Sequence, residues 1–259
     1  MDYSLREEGK FKFIETEGEG QTLLLLHGLF GALSNFEGII GHFGQNQKVV
    51  VPILPIFDLP IRQVGLGGLV DHVVEFVEFK KYDKVNVLGN SLGGHIALLY
   101  ALANPEKVGS ITLTGSSGLF ENSLGSTFPK RGNYEFIKNK TEDIFYNKEV
   151  ATKELVDEVF TTVNDRNKAI RIIATAKSAV RHNLGDKLNQ VKAPTLLIWG
   201  KEDTVTPQFV GEKFNELIEH SQLYIIEKCG HAPMMEEPDI FNQILSDFLE
   251  DLRTRKEAA

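Results

Sequence analysis

The stretch Val87-Leu88-Gly89-Asn90-Ser91-Leu92-Gly93-Gly94-His95 decides how the rest of the chain is read. It follows the short run Val85–Leu88 and opens into Ile96-Ala97-Leu98-Leu99-Tyr100-Ala101, a segment that predicts a helix. Glycines two residues before and two residues after a serine, between strand and helix, form the G-x-S-x-G pattern of a nucleophile elbow. So tight a turn strains the serine backbone and needs neighbours without a Cβ, which accounts for Gly89 and Gly93. Ser91 then projects from the carboxyl edge of a sheet at a helix N-terminus, where backbone N–H groups favour negative charge. A phosphate-holding loop is the competing reading, but neither G-x-G-x-x-G nor G-x-x-x-x-G-K-[ST] occurs in the chain.

A hydroxyl needs a base to act as a nucleophile near neutral pH. Of the seven histidines, His42 and His220 fall near helix ends, and His72, His95 and His182 fall within helical patterns. These read as structural or solvated. His231 stands instead in the loop Cys229-Gly230-His231-Ala232-Pro233, after the last strand and before the last helix, where glycine and proline exclude helix. The acid comes from Trp199-Gly200-Lys201-Glu202-Asp203-Thr204-Val205-Thr206-Pro207, again a strand end followed by a turn. Asp203 is preferred to Glu202, because the shorter carboxylate suits a turn and can fix the tautomer of a neighbouring imidazole.

Around these motifs two periodicities alternate. Apolar runs at Thr22–Leu26, Val49–Leu54, Val85–Leu88, Ile111–Leu113, Thr195–Trp199 and Leu223–Ile226 mostly do not alternate, so they predict strands buried on both faces of a parallel sheet. Helical stripes lie between them: Leu69, Val70, Val73, Val74 and Val77, then Ile240, Phe241, Ile244, Leu245, Phe248 and Leu249 near the end. Together they imply an α/β fold, a doubly wound and mostly parallel sheet. Residues 119–192 break the rhythm, with no convincing strand and two helical stripes, Leu155, Val156, Val159, Phe160 and Val163, then Ala169, Ile173, Ala176 and Val180. This interval is expected to be an inserted helical cap of three or four helices on a core formed by 1–118 and 193–259.

Composition narrows the partners. The 259 residues carry 28 Lys and Arg against 36 Asp and Glu, a net charge of −8, which disfavours nucleic acid and anionic lipid surfaces. The polar, acidic N-terminus does not read as a secretory signal, and no apolar run approaches the roughly 20 residues of a membrane span. The expectation is a cytoplasmic protein without a membrane span, a monomer or homodimer, whose partner is a small-molecule acyl substrate. Cys229 is the only cysteine, and it reads as a buried thiol rather than half of a Cys–His pair. No metal-ligand spacing such as H-E-x-x-H occurs, and no cofactor is expected.

The order Ser91, Asp203, His231, preceded by His27-Gly28-Leu29-Phe30-Gly31 after the Thr22 strand, resembles the α/β-hydrolase superfamily. The likeness spans nearly the whole core and rests on four separated motifs. It implies that the backbone N–H groups of Leu29 and Leu92 form an oxyanion hole. Gly89-Asn90-Ser91-Leu92-Gly93-Gly94 and the cap are further similar to carbon–carbon hydrolases that cleave ring-opened aromatic catabolites. That similarity implies substrate-binding roles for Asn90 and Asn35. Three departures are visible. Ala232 stands where those enzymes carry an aromatic residue after the histidine. Arg166, Arg171 and Arg181 are all candidates for the cap arginine that holds a keto-acid end. Pro55-Ile56-Phe57-Asp58-Leu59-Pro60-Ile61 replaces the frequent Asp-x-x-Gly-x-Gly-x-Ser, in a loop that borders the pocket of relatives, so an unusual substrate profile is expected.

Phe30 and Phe36 are candidates for the acyl pocket, and of Met234 and Met235 one is expected at the pocket mouth and the other in packing. The expected chemistry is serine hydrolysis: Ser91 attacks a carbonyl, His231 takes its proton and Asp203 holds the imidazole. A small to medium, largely apolar ester or thioester is the favoured substrate. Carbon–carbon hydrolysis of a vinylogous diketone acid is the alternative, and a ligand-binding protein on the same scaffold is a third reading.

Overall fold

The apolar runs assemble into a single eight-stranded sheet with an apolar core on each face. The computed structural model describes residues 4–30, 33–120 and 130–258. Gly31, which ends the His-Gly motif, and residues 121–129 of the expected cap lie outside the described residues. The strands are β1 (Arg6–Glu8), β2 (Phe11–Glu15), β3 (Thr22–Leu26), β4 (Val49–Pro52), β5 (Val85–Asn90), β6 (Val108–Thr114), β7 (Thr195–Gly200) and β8 (Ser221–Ile226). Their order across the sheet is β1-β2-β4-β3-β5-β6-β7-β8. All pairs from β4 to β8 are parallel, and β1 and β2 add an antiparallel edge.

Burial on both faces explains why the central strands read as unbroken apolar runs. Leu23, Leu25, Val49, Val51, Leu196 and Ile198 point into one core with Phe36, Ile39, Phe241 and Leu245. Leu24, Leu26, Val50, Leu197 and Trp199 point into the other with Leu69, Val73, Ile96, Val210 and Phe214. The helices that cover the sheet are α1 (Glu37–Phe43), α2 (Leu66–Phe79), α3 (Leu92–Ala103), α7 (Gln208–Leu217), α8 (Pro233–Glu236) and α9 (Pro238–Glu257). Between β6 and β7 the described residues hold α4 (Tyr134–Glu142), α5 (Lys153–Asn164) and α6 (Arg166–Arg181) and no strand. Each of these three begins at a side-chain cap. Asn133 accepts the Phe136 N–H, Thr152 the Leu155 N–H, and Asp165 the N–H groups of Asn167 and Lys168. Such a cap is worth about 1 kcal/mol.

Two differences from the sequence reading have clear causes. Strands β1 and β2 were not expected; β1 is only Arg-Glu-Glu, and β2 is a five-residue strand that sends Phe11 and Phe13 into one core and Ile14 into the other while Lys12 stays exposed. Strand β4 stops at Pro52 rather than Leu54, because the Leu54 N–H leaves the ladder and donates to the His27 ring at 3.0 Å. No helix among the described residues is long and apolar enough to cross a membrane.

Candidate active site

Ser91 sits between β5 and α3 with φ 54° and ψ −119°, a left-handed conformation that costs a non-glycine residue roughly 1–3 kcal/mol. The neighbours make the turn possible. A Cβ on Gly93 would lie 1.9 Å from the Leu26 carbonyl oxygen, and one on Gly89 would lie 2.4 Å from the Gly93 backbone. Hydrogen bonds hold the strained turn: the Ser91 N–H donates to the Thr114 carbonyl at 3.1 Å, and the Ser117 N–H donates to the Ser91 carbonyl at 3.1 Å.

Asp203 and His231 meet across the ends of β7 and β8. The His231 Nδ1 lies 2.9 Å from Asp203 Oδ2, and both residues are buried. The carboxylate also accepts the Val205 and Thr206 N–H groups on Oδ1, at 2.8 and 2.9 Å, and the Thr206 hydroxyl on Oδ2 at 2.9 Å. Four donors therefore fix its orientation. With Nδ1–H committed to the carboxylate, the second ring nitrogen carries the free lone pair. Asn90 ties the elbow to this pair, since its side-chain amide donates to the Thr114 carbonyl at 3.1 Å and the His231 carbonyl at 3.2 Å.

Ser91 and His231 line one cavity of about 900 Å³. Leu29, Phe30, Asn35, Asn90 and Leu92 line it too, as does Met235. Phe36 does not; it is fully buried in the core, and Met234 is likewise packing. The roof comes from the cap. Leu155, Val159 and Val163 of α5 and Ile173, Ala176 and Val180 of α6 face the cavity, so much of the two sequence stripes forms its wall.

The cap arginines fall differently from expectation. Arg166 and Arg181 are exposed and outside the lining, and Arg171 reaches the Leu59 carbonyl instead. Arg131, Lys140 and Lys177 supply the basic groups of the wall. The Pro55–Ile61 loop contributes nothing to the lining, and through Leu59 it seats α6.

The remaining candidates are structural. His27 donates from Nδ1 to the Gly28 carbonyl at 2.8 Å, accepts on Nε2, and burial lowers its pKa. Burial likewise takes His95 down to about 4, with Nε2 bonded to the His182 carbonyl at 2.8 Å. Burial pushes the Cys229 thiol up, which keeps it protonated. Sequence reasoning missed Thr206, although an aspartate followed by a turn that offers N–H groups two and three residues on is a readable signal. Among the described residues no group of three or more His, Cys, Asp or Glu side chains could hold a metal ion.

Comparison with known proteins agrees with this fold. A family model described as alpha/beta hydrolase fold matches residues 21–238. The chain is 27% identical to a 2-hydroxy-6-oxononadienedioate/2-hydroxy-6-oxononatrienedioate hydrolase of Comamonas testosteroni, covering 95% of this chain and 94% of that one. It is 28% identical, with the same coverage, to a 2-hydroxy-6-oxo-6-phenylhexa-2,4-dienoate hydrolase of Burkholderia cepacia. Among solved structures, an α/β-hydrolase enzyme from the metagenome of lagoon sediments at Mar Chica, Morocco, is 43% identical. It superimposes with a TM-score of 0.80 over 96% of this chain and 98% of that one.

Proposed function

The chain belongs to the α/β-hydrolase fold family, and from that premise we propose that it is a serine hydrolase cleaving a carboxylic ester or thioester with a medium-sized, largely apolar acyl part. The observation that carries this reading is the buried His231–Asp203 pair, 2.9 Å apart, opening on the same cavity as a strained Ser91. Ser91 Oγ attacks the acyl carbonyl while the free ring nitrogen of His231 takes its proton. Asp203 holds the tautomer and faces the imidazolium. The tetrahedral oxyanion is received by the Leu29 and Leu92 N–H groups, residues that line the same cavity as Ser91. Leu92 begins α3, where N–H groups lack an intrahelical partner. Each such donor is worth roughly 3–4 kcal/mol. Collapse expels the alcohol or thiol with the proton from His231. Water activated by the same imidazole then releases the acid and restores Ser91.

A second reading is favoured by one observation. The curated relatives are named for hydrolysis of oxo-dienoic acids, and Arg131, Lys140 and Lys177 on the cavity wall suit an anionic end. In that reaction the acyl–carbon bond of a ketonised substrate breaks instead of an acyl–oxygen bond, and the same three residues serve. Comparing kcat/KM for short p-nitrophenyl esters and for a ring-cleavage dienol acid separates the two. The ester reading expects the larger value for the esters, and a dienol acid turned over far more efficiently would replace it with carbon–carbon hydrolysis.

A further inference from the structure

Glu236 of α8 lies five positions beyond His231, and its surroundings are unusual for a carboxylate. It is half-buried, burial pushes its pKa up, and among the described residues no Lys, Arg or His forms a salt bridge with it. Taking a carboxylate out of water without a counter-ion is costly. What meets it instead is backbone N–H from two distant parts of the chain. Oε1 accepts the Gly230 N–H at 2.7 Å, and Oε2 accepts those of Tyr146 at 2.7 Å and Asn147 at 3.1 Å. Gly230 directly precedes His231, whereas Tyr146 and Asn147 belong to the segment joining α4 to α5. That segment continues onto the site. The Ile144 carbonyl accepts the His231 N–H at 2.9 Å, and the Asp143 carbonyl accepts the Thr204 hydroxyl at 2.8 Å.

Gly230 bears independent witness to the same junction. A Cβ at this position would lie 2.5 Å from the Ile144 carbonyl oxygen and 2.9 Å from both Glu236 Oε1 and the Tyr146 nitrogen. The residue before the histidine must lack a side chain because the cap rests on it. Charge-assisted N–H bonds offset the burial of Glu236 only while both segments are in place.

We propose that Glu236 is a positioning residue that fastens the cap segment 143–147 to the backbone carrying His231, so that seating the cap sets the imidazole. The inference rests on the reading of His231 as the base. Its test is a comparison of Glu236→Gln, Glu236→Ala and Gly230→Ala in the full chain. A small p-nitrophenyl ester serves as substrate, well below each melting midpoint, with active sites counted by a fluorophosphonate. Glutamine keeps the shape and one acceptor; alanine removes both. Per-site kcat is expected to fall about tenfold for Glu236→Gln and about 100-fold for Glu236→Ala, the scale of a misplacement near 1 Å. KM should stay within about twofold in both, as it would if the loss lies in positioning the base. Gly230→Ala should lower kcat in the same sense. The low-field proton resonance of the His231–Asp203 hydrogen bond should shift or broaden. If Glu236→Ala does not fold, Glu236→Gln carries the test. A lowered melting midpoint with per-site kcat and the resonance unchanged would reduce Glu236 to a brace and overturn the proposal. Activity surviving in Ser91→Ala would instead overturn the reading of the site on which it rests.

Discussion

On the core side of the cavity, Ser91, Asp203 and His231 are held by backbone strain and converging hydrogen bonds. On the cap side, Leu155, Val159, Val163, Ile173 and Val180 meet the same space with apolar side chains on capped helices. The two walls obey different physics. A hydrogen-bonded, strained constellation has one productive arrangement and fails when a group is removed, whereas apolar packing degrades by increments. On the proposed function, chemistry falls to the floor and substrate fit to the roof, with the 143–147 segment as the place where they meet.

The largest effect expected from this division is on the floor. Ser91→Ala should lower kcat by about 10⁴–10⁶, the range that loss of a nucleophile gives, with the melting midpoint nearly unmoved. A drop of tenfold or less in steady-state assays would erase the distinction between the walls. A smaller effect concerns acid stability. His95 and His72 are both taken from 6.5 to about 4 by burial, so each stays neutral in the folded chain at pH values where the unfolded chain binds a proton. Their contribution is complete above pH 6.5 and is lost as pH falls towards about 4; for His95 alone it is on the order of 3 kcal/mol. Urea midpoints measured down that range should decline steadily, and a flat series would show that neither imidazole is held neutral. The smallest effect lies in the roof. Val163→Ala should raise KM for a bulky acyl substrate about tenfold or less while kcat changes little, since removed methyl groups weaken binding alike in ground and transition states. An equal loss in kcat would mean that the cap also shapes the reacting geometry.

The same contrast governs what could be read from the amino-acid order. The elbow was legible because Gly89 and Gly93 are demanded by contacts within a few residues and with one neighbouring strand. His231 and Asp203 were legible because each follows a strand end in a turn. In the cap, stripe periodicity revealed the helices, and Ile173 and Val180 of those stripes border the cavity. Charge in the cap was not legible at all: Arg171 is spent on the Leu59 carbonyl, while Arg131, outside the expected set, lines the wall. Glu236 was invisible for a related reason, since its partners Tyr146 and Asn147 lie about 90 positions away and offer only backbone. Short-range geometry leaves a mark in local spacing, and contacts between distant backbone segments leave none.

Mapping where a fluorophosphonate attaches tests most directly whether Ser91 is an activated nucleophile served by His231. Peptide mass spectrometry should find the adduct on Ser91, formed rapidly in the native chain and at a rate lowered by orders of magnitude in His231→Ala. An unlabelled Ser91, or one labelled equally fast without the imidazole, would contradict it.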